Sequence, residues 1–283
     1  MNIGSKDCVL SFEVFPPRKN LPIETIYNTI DRLINLKPES ISVTYGAAGN
    51  DTSKRTFDIA GEIKKQGVES VAHLISIGLS EEELTKKLNI LKEKNVNKIL
   101  ALRGDIPEFS YKKGDYEHAS DLIRAIKEKG DFYVMAAAYP EGHIDSANIV
   151  EDIKNLRKKV DAGCDSLVTQ LFFDNEDFYR FRDMCELAEI NVPIQAGIMP
   201  VINKKQIEKM ISLNGIKLPK KFLKIMRRYE NDKTAMRDCG IAYAVDQIVD
   251  LISSGVDGIH LYTMNNPYIA EKIYESIKNL IKL

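Results

Sequence analysis

Short apolar runs alternate with amphipathic segments along nearly the whole of this 283-residue chain, and this alternation limits its possible folds more than any other feature. Eight runs have the length and residue types of strands, beginning near residues 9, 40, 69, 98, 132, 165, 192 and 257. Helical spacing of apolar residues recurs over 23–36, 53–66, 80–94, 119–129, 147–162, 175–189, 203–213, 219–230, 233–254 and 267–281. Regular alternation implies parallel pairing through right-handed crossovers, and eight such units close into a barrel. The sequence therefore predicts an α/β fold, a single (β/α)8 TIM barrel over 1–283 with extra helices between strands 7 and 8.

Composition narrows the class of protein. With 44% hydrophobic and 29% charged residues, the chain is able to bury a large core. Its 40 basic and 41 acidic side chains leave a net charge of −1, so no overall field attracts nucleic acid or an anionic membrane. No apolar stretch approaches the roughly 20 residues of a membrane span, and the first residues lack a signal-peptide pattern. We therefore expect a cytoplasmic protein without nucleic-acid or membrane partners. We also expect a homo-oligomer.

Neither the cysteines nor the histidines show the spacing of metal ligands, so no metal site is predicted. The cysteines are expected to be reduced side chains of a cytosolic protein, and they are Cys8, Cys164, Cys185 and Cys239. His118 and His260 have no partner at ligand spacing, which favours a core or surface position for each.

Polar or aromatic residues follow several of the apolar runs. In a barrel of parallel strands these ends meet at one mouth, where the chemistry of such folds is found. The run 100–102 ends in Arg103, Gly104 and Asp105. Six other runs end in the same way, at Glu13, Tyr45, His73, Tyr139, Gln170 and Tyr262. We expect the function to depend on these residues.

Glu13 is the candidate general acid. Its period-two strand places it with Ser11 on the face opposite Leu10, Phe12 and Val14, so it points into the barrel if those three pack against helices. A partly desolvated carboxyl group holds its proton more readily, which suits an acid working near neutral pH. The alternative interpretation is a structural ion pair with Arg18 or Arg103.

Three further features suggest room for a large, flat and polar ligand. Arg103 and Asp105 share one parity of their strand, and Gly104 between them lets the backbone approach a ligand closely. Small side chains precede Tyr139. Asp152 and Lys159 fall on one helical face and are able to hold a polar ligand tail, although a solvated surface pair is the more common arrangement.

A series of motifs in consistent order resembles the methylenetetrahydrofolate reductase family in its short bacterial form. The motifs include Ser11-Phe-Glu-Val-Phe-Pro-Pro-Arg18, Ala101-Leu-Arg-Gly-Asp105, Ala137-Ala-Tyr-Pro-Glu141, Thr169-Gln-Leu-Phe-Phe-Asp174, Gly197-Ile-Met-Pro200 and Leu261-Tyr-Thr263. The resemblance implies a flavin barrel that reduces 5,10-methylenetetrahydrofolate to 5-methyltetrahydrofolate with NADH or NADPH as electron donor.

The resemblance also implies roles for individual residues. Glu13 would protonate N10 of the folate, and Asp105 would stabilise the cationic iminium between flavin and pterin. Residues implied in substrate binding are Thr44, Asp105, Gln170, Met210 and Tyr262. Residues implied in FAD binding are Tyr45, Ala47, His73, Arg103, Gly104, Asp105, Ala119, Tyr139, His143, Asp152, Asn155 and Lys159.

The chain departs from the family pattern at two places. Met210 stands where well-studied members have a stacking aromatic residue, and Asn265-Asn266 stands where the family often has Asn-Arg. Three alternatives therefore stay open: folate reduction driven by ferredoxin or a partner subunit, a flavin-free barrel lyase or aldolase acting on a phosphorylated metabolite, and a non-catalytic interaction subunit.

Overall fold

Eight parallel strands form a closed barrel in the computed structural model, which describes residues 8–17, 21–45, 53–105, 113–203 and 217–281. The strands are β1 (Val9–Val14), β2 (Ser40–Val43), β3 (Glu69–Ile75), β4 (Lys98–Leu102), β5 (Tyr133–Ala138), β6 (Ser166–Thr169), β7 (Ile194–Ile198) and β8 (Gly258–Tyr262). Each strand pairs with its neighbours in sequence, and β8 closes the barrel against β1. The predicted (β/α)8 barrel is therefore confirmed.

Helices follow the strands on the outside of the barrel. They are α1 (Tyr27–Ile34), α2 (Ser53–Lys65), α3 (Glu81–Glu93), α4 (Ala119–Lys129), α5 (Ile149–Asp161), α6 (Asn175–Leu187), α7 (Lys220–Tyr229), α8 (Lys233–Ser253) and α9 (Pro267–Ile277). Helices α7 and α8 are the extra helices predicted between strands 7 and 8. No helix in the described ranges is long and apolar enough to cross a membrane.

Helix ends differ from the predictions by a few residues. The segment predicted from residue 23 begins as a 3-10 turn over Ile23–Ile26, and the last helix stops at Ile277. The helix predicted over 203–213 lies almost entirely outside the described residues. The start of α3 is well defined because Ser80 and Glu83 form a capping box, which satisfies two backbone N–H groups that would otherwise lack partners.

The two faces of β1 have different environments. Leu10, Phe12 and Val14 are at most 1% exposed and belong to the large core between the barrel and its helices. Ser11 has the opposite parity and hydrogen-bonds across the barrel interior to Gln195 of β7 and His260 of β8. The period-two pattern of β1 therefore directs Glu13 toward the interior, as predicted.

The barrel interior is polar on one side and apolar on the other. A small apolar cluster comes from four consecutive strands and consists of Val71, Leu100, Met135 and Val168. The opposite side holds the hydrogen-bonded group of Ser11, Gln195 and His260. Buried polar side chains need hydrogen-bond partners, and the Ser11 hydroxyl finds its partners in Gln195 and His260.

Candidate active site

The candidate acid Glu13 lies near the carboxyl end of β1, next to residues from β3 and β8. Its Oε2 is 3.6 Å from Nε2 of His73 and 3.7 Å from Nε2 of His260. Both imidazoles are buried, at 5% and 3% exposure respectively. Strand register places Tyr262 directly beside Glu13 on β8. Three strands therefore build one polar group at the mouth of the barrel.

The alternative ion pair between Glu13 and Arg103 is not formed. Arg103 instead donates to Asp145, with Nη2 at 2.7 Å from Oδ2. Arg18, the other candidate partner, lies outside the described residues. The groups that pair with the Glu13 carboxyl are therefore imidazole rings and not a guanidinium in the part of the site that the structure describes.

His260 was predicted to be a core or surface histidine, and it is a core histidine at 3% exposure that also lies beside Glu13. Its Nδ1 is 2.7 Å from the hydroxyl oxygen of Ser11, which also lies 2.7 Å from Oε1 of Gln195. Sequence reasoning missed all three residues of this chain of hydrogen bonds as site residues. The sequence does show that Ser11 lies on the same face of β1 as Glu13. It does not show the partners of Ser11, because they lie 184 and 249 positions away in the chain.

Burial lowers the pKa of His73 from 6.5 to about 4, although the nearby Glu13 opposes this shift. His73 is therefore a neutral imidazole near pH 7. It was predicted to bind flavin, and the structure places it at the mouth beside Glu13.

This buried histidine predicts acid sensitivity of the fold. Between pH 6.5 and about 4 the unfolded chain binds a proton that folded His73 does not, so the free energy of unfolding falls as the pH falls through that range. The size of the pKa shift of His73 corresponds to a loss of about 3 kcal/mol in the free energy of unfolding. Urea unfolding at pH 7 and near pH 4.5 would measure it. The variant His73→Gln should lose this part of the pH dependence. His118 is exposed, so the control variant His118→Gln should keep it. If the free energy of unfolding varies with pH equally in the wild type and in His73→Gln, His73 is not the group responsible.

A cavity of about 290 Å³ opens beside the mouth, between the ends of β4 and β5, the start of α4, and α5 from Asp152 to Lys159. Seven of the residues predicted to bind FAD line it, and they are Arg103, Ala119, Tyr139, His143, Asp152, Asn155 and Lys159. Residues not predicted also line it, namely Ala101, Leu102, His118, Ser120, Ala137, Asp145, Ser146 and Lys158. The sequence therefore predicted about half of this wall, and the missed residues are neighbours of the predicted ones on the same elements.

The cavity wall carries cations next to a half-buried tyrosine, Tyr139. Lys159 donates from Nζ to the carbonyl oxygen of Ala137 at 2.9 Å, and the same Nζ lies 5.9 Å from the centre of the Tyr139 ring. Burial lowers the pKa of Lys159, and the carboxylate of Asp152 opposes that shift. Burial, with a smaller contribution from Asp152, raises the pKa of Tyr139 to about 12. Asp152 itself accepts a hydrogen bond from Ser146, so this helix-face pair belongs to the cavity and is not a solvated surface pair.

Strand β4 ends at Leu102, and Gly104 and Asp105 follow it. The prediction that Arg103 and Asp105 lie on the same face of a strand is therefore wrong. Gly104 has φ +85°, a left-handed conformation that turns the chain at this point. Asp105 is exposed, and its charge contributes to the raised pKa of Tyr139. Glu13 and Tyr139 both contribute to the raised pKa of Tyr262, for which burial is the main cause. Glu13 lies near the end of β1 and Asp105 follows β4, so both lie at the same end of this parallel barrel.

The remaining predicted residues surround this mouth or lie outside the described ranges. Tyr45 receives a hydrogen bond at 3.2 Å from Nζ of Lys87, and the Thr44 carbonyl accepts one from Thr56. Gln170 follows β6, and its Oε1 accepts from the backbone of Leu171. Ala47 and Met210 are not among the described residues.

Tyr262 is held in a fixed position. Its hydroxyl donates to the carbonyl oxygen of Thr169 at 2.7 Å, across β7. The strand between them carries Gly197, where a Cβ would lie 2.8 Å from that same hydroxyl. The end of β8 is joined to the end of β1 by Asn265, whose side chain exchanges two hydrogen bonds with the backbone of Phe15. The mouth is therefore rigid on the side of β7, β8 and β1.

Known proteins match this chain in sequence and in fold. The model of the family described as methylenetetrahydrofolate reductase matches residues 1–278. A 5,10-methylenetetrahydrofolate reductase of Pectobacterium carotovorum is 38% identical over 269 residues, covering 95% of this chain and 89% of that protein. The enzyme of the same name from Escherichia coli K12 is 37% identical over 268 residues, covering 95% and 90%.

Among solved structures, a protein from Clostridium thermocellum described as binding two copies of 5-methyl-5,6,7,8-tetrahydrofolic acid has a TM-score of 0.64 at 15% identity, covering 97% of this chain and 95% of that one. At this identity the likeness shows the fold alone. The relatives cover almost the whole sequence, and the family match includes all eight strands. This chain belongs to the methylenetetrahydrofolate reductase family.

Proposed function

We propose that this chain reduces 5,10-methylenetetrahydrofolate to 5-methyltetrahydrofolate, using FAD and electrons from NADH or NADPH, with Glu13 as the general acid. The observation that carries the proposal is the position of Glu13 at the mouth of the barrel, between two buried imidazoles and at the same end of the barrel as a cation-lined cavity. Family membership supplies the substrate class. The two relatives above carry the reductase name, which favours this function over the lyase alternative.

The cavity fits the polar part of a flavin dinucleotide. Arg103, Lys158 and Lys159 provide positive charge for a pyrophosphate, and His118 and His143 offer further donors. Three alanines keep the wall open, and they are Ala101, Ala119 and Ala137. A volume of about 290 Å³ is at the lower end for ligand pockets, so this cavity suits part of the cofactor while the rest lies in the open mouth. Bound FAD would supply the hydride for reduction of the folate.

Glu13 would deliver a proton to N10 of the folate, which opens the five-membered ring. Two features of the site suit this step. The carboxyl is mostly buried but not closed off, with 19% of its side chain exposed, so a substrate is able to reach it. Tyr262 beside it is fixed by its bond to Thr169 and provides a rigid edge for the substrate.

Asp105 and Gln170 would orient the pterin ring. Asp105 offers an exposed carboxylate at the rim of the mouth, which would stabilise a cationic iminium by charge. Gln170 follows β6 and would hydrogen-bond the pterin or the nicotinamide. Neither residue is required to transfer a proton in this scheme.

Anaerobic stopped-flow spectroscopy of the purified protein tests the proposal. Reduction of the flavin band by NADH or NADPH, followed by its return on adding 5,10-methylenetetrahydrofolate, is the expected result. If only ferredoxin or a partner subunit reduces the flavin, that partner replaces NADH and NADPH as the electron donor in the proposal. A colourless protein that gains no flavin band with added FAD would overturn it.

Lys159 tests the assignment of the cavity. We expect Lys159→Met to weaken FAD binding about 10- to 100-fold, because the variant removes a charge-assisted donor from the cavity wall. Lys154→Met is the matched control, since Lys154 lies on the same helix, its side chain is 66% exposed, and it pairs with Glu151 on the outer surface. Titration of the FAD-free protein with FAD measures both. Equal FAD affinity in the two variants would show that this cavity does not hold the cofactor.

A further inference from the structure

The hydroxyl group of Ser11 lies in the barrel interior between side chains from two other strands. Its oxygen is 2.7 Å from Oε1 of Gln195 on β7 and 2.7 Å from Nδ1 of His260 on β8. The carbonyl oxygen of Ile259 is a third and more distant neighbour, at 3.5 Å. Ser11, Gln195 and His260 are all buried, so water does not compete freely for these bonds.

The chemistry of the three groups sets the direction of the hydrogen bonds. A carboxamide oxygen and a backbone carbonyl oxygen only accept, so the single proton of the Ser11 hydroxyl points toward them. The hydroxyl oxygen must then accept from His260, which places the imidazole proton on Nδ1. The Nε2 atom of a neutral His260 is consequently without a proton.

That bare nitrogen faces Glu13. The distance from His260 Nε2 to Glu13 Oε2 is 3.7 Å, slightly longer than a hydrogen bond, and Nε2 has no other hydrogen-bond partner among the described residues. A bare imidazole nitrogen attracts the proton of a carboxylic acid but repels the lone pairs of a carboxylate. An N–H group in the same place would have the opposite preference.

We infer that Gln195 is a positioning residue for the reaction: its carboxamide oxygen, acting through Ser11, holds His260 in the tautomer that favours the protonated form of Glu13. The inference rests on the proposed function, because a general acid needs its proton before the folate ring opens. Gln195 itself is too deep in the barrel to be a catalytic residue, and it acts only through the orientation of two hydrogen bonds.

The other titratable groups around Glu13 do not override this arrangement. His73 from β3 lies 3.6 Å from the same carboxyl oxygen, and burial lowers its pKa to about 4, so it is neutral near pH 7. Tyr262 from β8 keeps its proton because burial, Glu13 and Tyr139 all raise its pKa. His73 and Tyr262 therefore add no positive charge that would stabilise the carboxylate form of Glu13.

Nitrogen NMR of the resting protein, labelled with ¹⁵N-histidine, tests the inference directly. The chain has four histidines, so single substitutions assign each signal. We expect His260 to carry its proton on Nδ1 in the wild type. We expect Gln195→Met, which removes the acceptor at similar side-chain length, to shift the proton toward Nε2. Gln195→Glu is the control, since a carboxylate still accepts from Ser11 and should keep the Nδ1 proton.

The kinetic consequence is measured in the reaction of reduced flavin with 5,10-methylenetetrahydrofolate. We expect Gln195→Met to slow this step about tenfold near pH 7, which is part of the rate enhancement that general acid catalysis contributes. We also expect the descending limb of the pH profile to move to lower pH, because Glu13 would lose its proton more readily. Flavin reduction by the donor should keep its rate, because that step needs no acid. A loss of packing alone would lower the amount of folded protein without moving the pH limb.

Two results would overturn the inference. One is a wild-type His260 that carries its proton on Nε2, and this measurement needs no variant. The other is a Gln195→Met protein with the wild-type tautomer and pH profile. These results are distinct from a failure of the proposed function. If the proposed function is wrong, the wild-type protein does not reduce folate. The tautomer of His260 is measured without turnover, so it is read independently of that outcome.

Discussion

Glu13→Gln is expected to abolish most folate reduction, slowing it by about 10²- to 10⁴-fold, while the flavin still binds and is still reduced by the electron donor. The amide has nearly the size and shape of the carboxyl group but no proton of suitable acidity. Its neighbours His73 and His260 are buried and hold their positions through their own strands, so the geometry of the mouth should persist. The loss is therefore expected in the folate half of the reaction alone.

Stopped-flow spectroscopy separates the two halves of this reaction. The rate of flavin reduction by NADH or NADPH should match the wild type, and the rate of reoxidation by 5,10-methylenetetrahydrofolate should fall. Glu69→Gln is the matched control, because Glu69 opens β3 at the other end of the barrel, where it pairs with Lys64. Near-normal folate turnover by Glu13→Gln would remove Glu13 from the acid role.

Gly197→Ala is expected to destabilise the fold by about 3 kcal/mol and to weaken folate binding, because there is no room for a methyl group at this position. A Cβ on Gly197 would lie 2.2 Å from the carbonyl oxygen of Thr169 and 2.8 Å from the ring and hydroxyl of Tyr262. The strand is not free to move away, since the N–H of Gly197 donates to Oγ1 of Thr169 at 2.8 Å. Tyr262 must then give up its bond to Thr169 and shift at the mouth.

Urea unfolding monitored by circular dichroism measures the loss of stability, and the KM for 5,10-methylenetetrahydrofolate reports the displaced tyrosine. Gly61→Ala is the control: a Cβ there would meet only the flexible side chain of Lys94, at 3.1 Å or more, and alanine favours a helix. A Gly197→Ala protein as stable as Gly61→Ala would mean that β6, β7 and β8 are not held as closely as the structure indicates.

The outward and inward faces of β1 illustrate how much of the site was predictable. Strand side chains alternate strictly, so the sequence assigned Leu10, Phe12 and Val14 to one face and Glu13 to the other, and the burial of these three residues confirms it. The same reasoning placed Tyr262 and Asp105 at the carboxyl ends of strands. The prediction that Arg103 and Asp105 lie on the same face of a strand was wrong, because β4 ends at Leu102 and Gly104 turns the chain.

Partners across the barrel were not predictable in the same way. Arg103 was a candidate partner of Glu13, but its guanidinium pairs with Asp145 on the loop after β5. His260 was interpreted from local spacing alone, which cannot reveal that barrel closure places it beside Ser11 in register. Lys158 lines the cavity next to the predicted Lys159, and only the rotation of α5 against the barrel brings both to the wall.

The sequence by itself determined the order of strands and helices, the face of each strand and the residues at the strand ends, because these follow from local periodicity and from the rule that parallel strands share one direction. Only the tertiary structure decided which of those residues meet. The contact of Ser11 with Gln195 and His260 depends on the register in which β7, β8 and β1 pair, and alternation states the face of a side chain but not its partner.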